Sequence, residues 1–302
     1  IDTDGCGTVR PFRVDGGPSF LEQVDALERQ DEAADPEDAP QTAGASLPSV
    51  RRAGVAATEV EEAEEPVEEV TEDITDGPAL QRFASEFENP DGSPVISVVL
   101  LHVGSQALGP DVLQALPAHV SFAVDANAAN VSGTAQAYRN AGREVVLIPS
   151  LPAGAAPQDV EQAMQVNLSK VPEAVAIMDA SGSTFQSDRA AVRQVVDVVS
   201  DTGHGLITFP RGLNTAHQEA QRANVPTGLI FRNVDGGGET QEQIRRTLDR
   251  AAFRARQNTG VILVGTTDDT TIAAIVEWAL GNRAASVSIA PISVALGGSV
   301  GG

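Results

Sequence analysis

Thiols are almost missing from this chain, which has one cysteine, Cys6, in 302 residues. A lone cysteine excludes an internal disulfide and any zinc site built from several thiolates, and it leaves the redox compartment open. No continuous apolar run reaches the roughly 18 residues of a membrane span. The sequence does not begin with Met, so an upstream signal peptide or membrane anchor remains compatible with it. Basic residues are outnumbered, 20 Lys plus Arg against 42 Asp plus Glu, and the net charge of -22 repels nucleic acid phosphates and anionic headgroups. A nucleic acid partner is therefore not expected. Also missing are the G-x-x-x-x-G-K-[ST] phosphate loop, H-E-x-x-H, G-x-S-x-G and any pair of C-x-x-C motifs, which removes the enzyme classes that depend on them.

What is present divides by composition. Apolar residues make up 41% of the chain, enough to build a core, but they are unevenly spread. Residues 1–28 hold Phe20, Val24 and Leu27 at the spacing of one or two amphipathic turns, too little to fold alone. Residues 29–78 are acidic and broken by prolines. In the run GVAATEVEEAEEPVEEVTEDITDGP, like charges three and four apart oppose a helix and Pro66 interrupts it. This segment is expected to be a disordered acidic linker, either a simple tether or a docking element for a basic partner. Leu80, Phe83 and Phe87 then offer apolar anchors before the first strand.

From residue 79 to 302 the pattern is that of an α/β domain. Short apolar runs at 95–101, 120–124, 144–148, 174–178, 205–209, 227–231, 261–265 and 286–290 alternate with helical stretches. The repeated βα order predicts a parallel sheet covered by helices, and seven or eight such units favour a β/α barrel over the alternative of an open doubly wound sheet. In either architecture, ligands meet the C-terminal ends of the strands.

The strand ends carry few groups suited to chemistry. Of four histidines, only His102 follows a strand. His119 and His204 precede strands, and His217 falls on a short helical stretch. Asp125, Asp179 and the Asp268–Asp269 pair also follow strands. Such carboxylates suit cation binding or acid–base work if they converge, but they equally suit helix capping, for which TTDDT is well placed. Ser187 is a further expected cap, and DGGGE at 235–239 reads as a glycine turn. FPRGLNTA places Arg211 and Asn214 directly after a strand, where Arg211 can clamp a carboxylate or phosphate or pair with a neighbouring acid.

The motif order ISVVLLHVG, VSFAVDANA, AGREVVLIPSLP, VPEAVAIMDASGSTFQSDRAAV, GHGLITFPRGLNTA and VSIAPISVAL, over Pro94 to Leu296, resembles the divergent polysaccharide deacetylase family. These are exported bacterial proteins with a deformed parallel β/α barrel. The resemblance implies that fold, and it implies a periplasmic or cell-envelope location, with possible membrane association through an anchor outside this sequence. It also implies a loss. Leu101 and His102 stand where the family has an adjacent Asp pair, Ile148 and Ala180 near its metal-binding histidines, Pro210 and Arg211 near its Asp-Ser element, and Thr266 at its late histidine.

These losses imply a noncatalytic barrel with no cofactor that binds an envelope protein or a glycan such as a peptidoglycan fragment. The expected ligand groove comprises Asp125, Ser181, Ser183, Arg211, Asn214, Arg232 and Asp268. One alternative is a metal-dependent carbohydrate or peptidoglycan deacetylase with an atypical site, using His102 and Asp179 in catalysis and His102, Asp125 and Asp179 to hold zinc or another divalent ion. Another is a structural platform in an envelope assembly.

Overall fold

The computed structural model describes residues 77–180, 185–258 and 260–297. The expected N-terminal segment 1–28, the acidic linker up to residue 76, and Ser181 and Ser183 lie outside the described residues.

Seven parallel strands form the wall of a barrel: β1 (Val95–Leu101), β2 (Ser121–Asp125), β3 (Val145–Ile148), β4 (Ala174–Met178), β5 (Gly205–Thr208), β6 (Thr227–Asn233) and β7 (Val261–Thr266). They neighbour one another in chain order, β7 pairs with β1, and β1 pairs with β2, which closes the ring. Most of these strands are nearly continuous in apolar residues because both faces are covered, one by the barrel interior and one by helices, while β6 alternates in burial and ends on exposed Arg232 and Asn233. The helices are α1 (Ala79–Arg82), α2 (Pro110–Ala115), α3 (Val131–Asn140), α4 (Pro157–Lys170), α5 (Arg189–Thr202), α6 (Thr215–Arg222), α7 (Gln241–Ala255), α8 (Asp269–Ala279) and α9 (Ile292–Gly297).

The expected eighth strand is short, and it leaves the ring to the other seven. Ser288–Ile289 (β8) pairs with Val95 and Ile96 at the start of β1. β2 reaches only Val99 to Leu101, so without β8 the first half of β1 would expose unpaired backbone groups on that side.

Two clusters fill the molecule. The helix-facing one includes Leu100, Phe122, Leu147, Val195, Leu248 and Trp278. The interior one includes Val99, Val146, Met178, Ile207, Ile262 and Val264, and it is extended at the N-terminal ends of the strands by Leu80, Ile292 and Leu296. Leu80, expected as an apolar anchor before the first strand, thus packs into the interior. Gly205 and Gly228 leave room for this plug, since a Cβ at either would collide with Leu296, and at Gly228 also with Ile262. Buried Glu144 ties the plug down. One of its oxygens accepts from Ser85 N (2.8 Å) and Ser293 Oγ (2.5 Å), the other from Ser293 N (2.9 Å).

Helix starts follow local chemistry with small departures from expectation. The N-cap of α5 is Asp188, one residue beyond the expected Ser187, with its carboxylate accepting from Ala190 N and Ala191 N. Thr240 and Gln243 form a reciprocal capping box on α7. Asp268 occupies the N-cap position of α8 without a side-chain cap bond.

Candidate functional site

The C-terminal ends of the strands are where a ligand site is expected in a β/α barrel. Here side-chain direction along each strand decides the outcome, because successive residues point to opposite faces. On β1, Ile96, Val98 and Leu100 face the helices while Val99 and Leu101 face the interior. His102 continues the outer row. Its Nδ1 shares a 2.9 Å hydrogen bond with the hydroxyl of Tyr138 on α3, and Tyr138 stacks on Phe122 with ring centroids 4.0 Å apart. Burial lowers the His102 pKa and pushes that of Tyr138 up to about 12, so both rings are neutral near pH 7. Among the described residues, His102 Nε2 is buried without a partner.

Asp179, directly after β4, is fully buried. Its oxygens accept from Ala180 N (2.8 Å) and Gln186 N (3.1 Å), and Gln186 in turn bridges to the backbone of Phe209 at both N and O (2.9 Å each). Asp125 is exposed at the end of β2 and accepts from Asn127 N (2.8 Å), which shapes the turn rather than capping α3. Asp268 is exposed, its carboxylate 3.1 Å from Thr266 Oγ1. Among the described residues, no three His, Cys, Asp or Glu side chains gather into a group able to hold a metal ion. His102, Asp125 and Asp179 each serve a different loop or helix contact, so this donor set does not fit the divalent ion of the alternative reading.

The expected groove residues are spread around the rim. Arg211 and Asn214 share a turn in which Asn214, at φ 54°, accepts from Arg211 N through its side chain (2.9 Å) and donates its own N–H to Arg211 O (2.7 Å). Asn214 is therefore engaged in shaping the turn that carries Arg211. Arg232 is exposed near the end of β6, where the register with β7 shifts, and its guanidinium lies 6.0 Å from the Phe231 ring centroid.

A residue missed in the sequence is Asp235. It follows β6 and reads there as the first residue of a glycine turn. In the fold it is buried, and one oxygen accepts from Thr266 N (2.7 Å), Thr266 Oγ1 (2.7 Å) and Thr271 Oγ1 (2.6 Å), tying β6 to β7 and the start of α8. Its other oxygen has no partner among the described residues. The DGGG string marks the turn but carries no sign of the three donors, which come from another strand and its helix.

What fills the top of the barrel interior is apolar. Ile148 and Met178 belong to the buried interior cluster, and Leu101, Ala180 and Phe209 pack against it. Three of these, Leu101, Ile148 and Ala180, occupy positions where the family resemblance calls for a carboxylate or an imidazole. A family model described as divergent polysaccharide deacetylase matches residues 98–296. The chain belongs to this family.

One solved structure shares the architecture. An uncharacterized protein from Agrobacterium tumefaciens C58 superposes with a TM-score of 0.63 at 19% identity, covering 72% of this chain and 94% of the other, a likeness of fold. The catalytic domain of peptidoglycan N-acetylglucosamine deacetylase from Eubacterium rectale ATCC 33656 matches at TM-score 0.45 and 11% identity, over 70% and 93% of the two chains. The lactam utilization protein from Thermus thermophilus matches at TM-score 0.44 and 13% identity, over 64% and 99%. No curated protein sequence matches the chain.

Proposed function

We propose that this divergent polysaccharide deacetylase-family protein is a noncatalytic barrel of the cell envelope that binds a protein partner at the C-terminal ends of its strands. The observation that carries the reading is the apolar packing of Leu101, Ile148 and Ala180 with Met178 and Phe209. Metal-dependent deacetylation needs an activated water and stabilisation of the developing oxyanion, and hydrocarbon side chains supply neither. The same end of the barrel exposes Leu213 at 84%, in the turn that carries Arg211, and Val103 at 41%, after β1 on the other side of the ring. An exposed leucine beside an arginine suits a protein interface better than a sugar, whose hydroxyls require a dense set of hydrogen-bonding partners. A peptidoglycan fragment is the competing ligand. Family membership supports an envelope location. Among the described residues, no helix is long and apolar enough to cross a membrane.

Calorimetric titration of metal-stripped protein with zinc, paired with acetate release from an acetylated glucosamine oligomer, tests the noncatalytic part. We expect no stoichiometric zinc heat and no acetate. Tight zinc binding lost in His102→Ala or Asp179→Asn, together with acetate release, would overturn it. For the ligand, soluble peptidoglycan fragments titrated into wild type and Arg211→Ala separate the readings. Affinity that drops on this change while the fold is retained would assign the face to the glycan.

A further inference from the structure

α7 differs in charge from the rest of the molecule. Within Gln241–Ala255 and the Arg256 that follows lie five arginines and two acids, in a chain whose net charge is -22. The pairing is uneven along the helix. At its first turns Arg245 pairs with Glu277 of α8 and Arg246 with Glu242. At its far end Arg250, Arg254 and Arg256 are exposed and make no ion pair or side-chain hydrogen bond with a described residue. The remaining acid, Asp249, is occupied as acceptor from Trp278 Nε1 (3.0 Å).

An apolar group lies among these cations. Phe253 falls one turn after Asp249, three residues after Arg250 and three before Arg256, and is 59% exposed. Two residues beyond Trp278, at the C-cap of α8, Leu280 is 87% exposed. Phe253 and Leu280 therefore flank the Asp249–Trp278 bond that joins the two helices. Arg283, also exposed and with no described partner for its side chain, leads into the 3-10 turn Ala284–Ser286, which packs against both α7 and α8. Folding explains only part of this. The helix dipole favours Arg254 and Arg256 near the C-terminus, but Arg250 and Arg254 are spaced to repel each other, and an exposed phenylalanine gains nothing from the dipole.

We propose that the surface formed by Arg250, Phe253, Arg254, Arg256, Leu280 and Arg283 docks an acidic peptide segment of a partner protein, one whose carboxylates alternate with apolar side chains. Charge complementarity selects the carboxylates, since an arginine presents a planar fork that matches them. Phe253 and Leu280 supply the desolvated contact that a purely ionic surface lacks, because exposed ion pairs alone contribute little. This surface lies on the outer helices, on different residues from those of the proposed strand-end interface, so its test is independent of that reading.

The probe is a fluorescein-labelled synthetic peptide of glutamates with leucine at every third position, titrated into the full chain and followed by anisotropy. We expect saturable binding that weakens about tenfold or more in Arg250→Glu/Arg254→Glu, and that also weakens in Phe253→Ser. The melting transition should stay near wild type because these side chains are exposed. Absence of peptide binding overturns the proposal, as does equal binding by wild type and both variants. Phosphatidylglycerol vesicles form the second arm. Sedimentation of the protein with vesicles and no association with the peptide would overturn the acidic-peptide assignment in favour of a lipid surface.

Discussion

His204 stands just before β5, buried, with Nδ1 bonded to Thr202 Oγ1 (2.7 Å) and Nε2 without a partner among the described residues. Burial, aided by the nearby charge of Arg82, lowers its pKa to about 4. The unfolded chain then binds a proton near pH 6.5 that the folded chain refuses until about pH 4. The stabilisation is complete above pH 6.5 and is lost as pH falls toward 4, by about 3 kcal/mol across the window. His102, His119 and His217 are shifted in the same direction by burial, while the raised pKa of Glu144 opposes them. Urea denaturation between pH 7 and 4 should show stability falling with acid, and His204→Asn should flatten the slope by close to one proton. A slope unchanged by the substitution would contradict this account. Tyr138→Phe tests a second imidazole, that of His102. It leaves His102 Nδ1 without its partner and should cost about 1–3 kcal/mol at neutral pH, again read by urea denaturation.

Among the elements, the junction between α1 and the end of α5 is tightly packed. Gly203 closes α5 at φ 71°, its carbonyl accepts from Leu80 N (2.8 Å), and a Cβ there would lie 2.5 Å from Pro78 Cα. The obstacle is backbone and the conformation is left-handed, so Gly203→Ala should destabilise by about 1–3 kcal/mol. A melt equal to wild type would show that α1 moves aside at little cost. The plug offers a companion case. Ser293→Ala removes one of the three hydrogen bonds to Glu144 and should lower stability by about 1–2 kcal/mol, with the loss greatest above the raised pKa of Glu144, where the carboxylate is charged. At this scale the sequence was informative. Apolar run lengths located all seven ring strands to within one or two residues, since a strand buried on both faces has to be apolar throughout. That same continuity concealed which face each residue takes. VISVVLLH does not reveal that His102 turns toward α3, nor could the sequence show Leu80 entering the barrel or Asp235 collecting three donors from β7 and α8. Those facts depend on ring closure, which sets neighbours far apart in the chain.

Over the whole molecule, charge is distributed unequally. Twenty-one acids and 5 basic residues precede position 77, against 21 and 15 from there onward. Most of the excess thus lies outside the barrel, which is what allows a local cationic surface on α7 in so acidic a chain. With an isoelectric point of about 4.4, the chain loses its net repulsion in the same acid range where His204 takes up its proton. Turbidity against pH should peak near 4.4 and subside on either side. A peak displaced toward neutral pH would point to exposed apolar surface as the cause.

The placement of β8 and α9 bears on how the molecule is made. The interior stays open at one end, and the first half of β1 stays unpaired on one side, until residues 288–297 arrive. A chain emerging gradually from a ribosome or a translocation channel would hold its other seven strands while still exposing an unsealed hydrophobic lumen. Time spent in that unfinished state, rather than the stability of the finished barrel, would then govern its exposure to chaperones and proteases during synthesis.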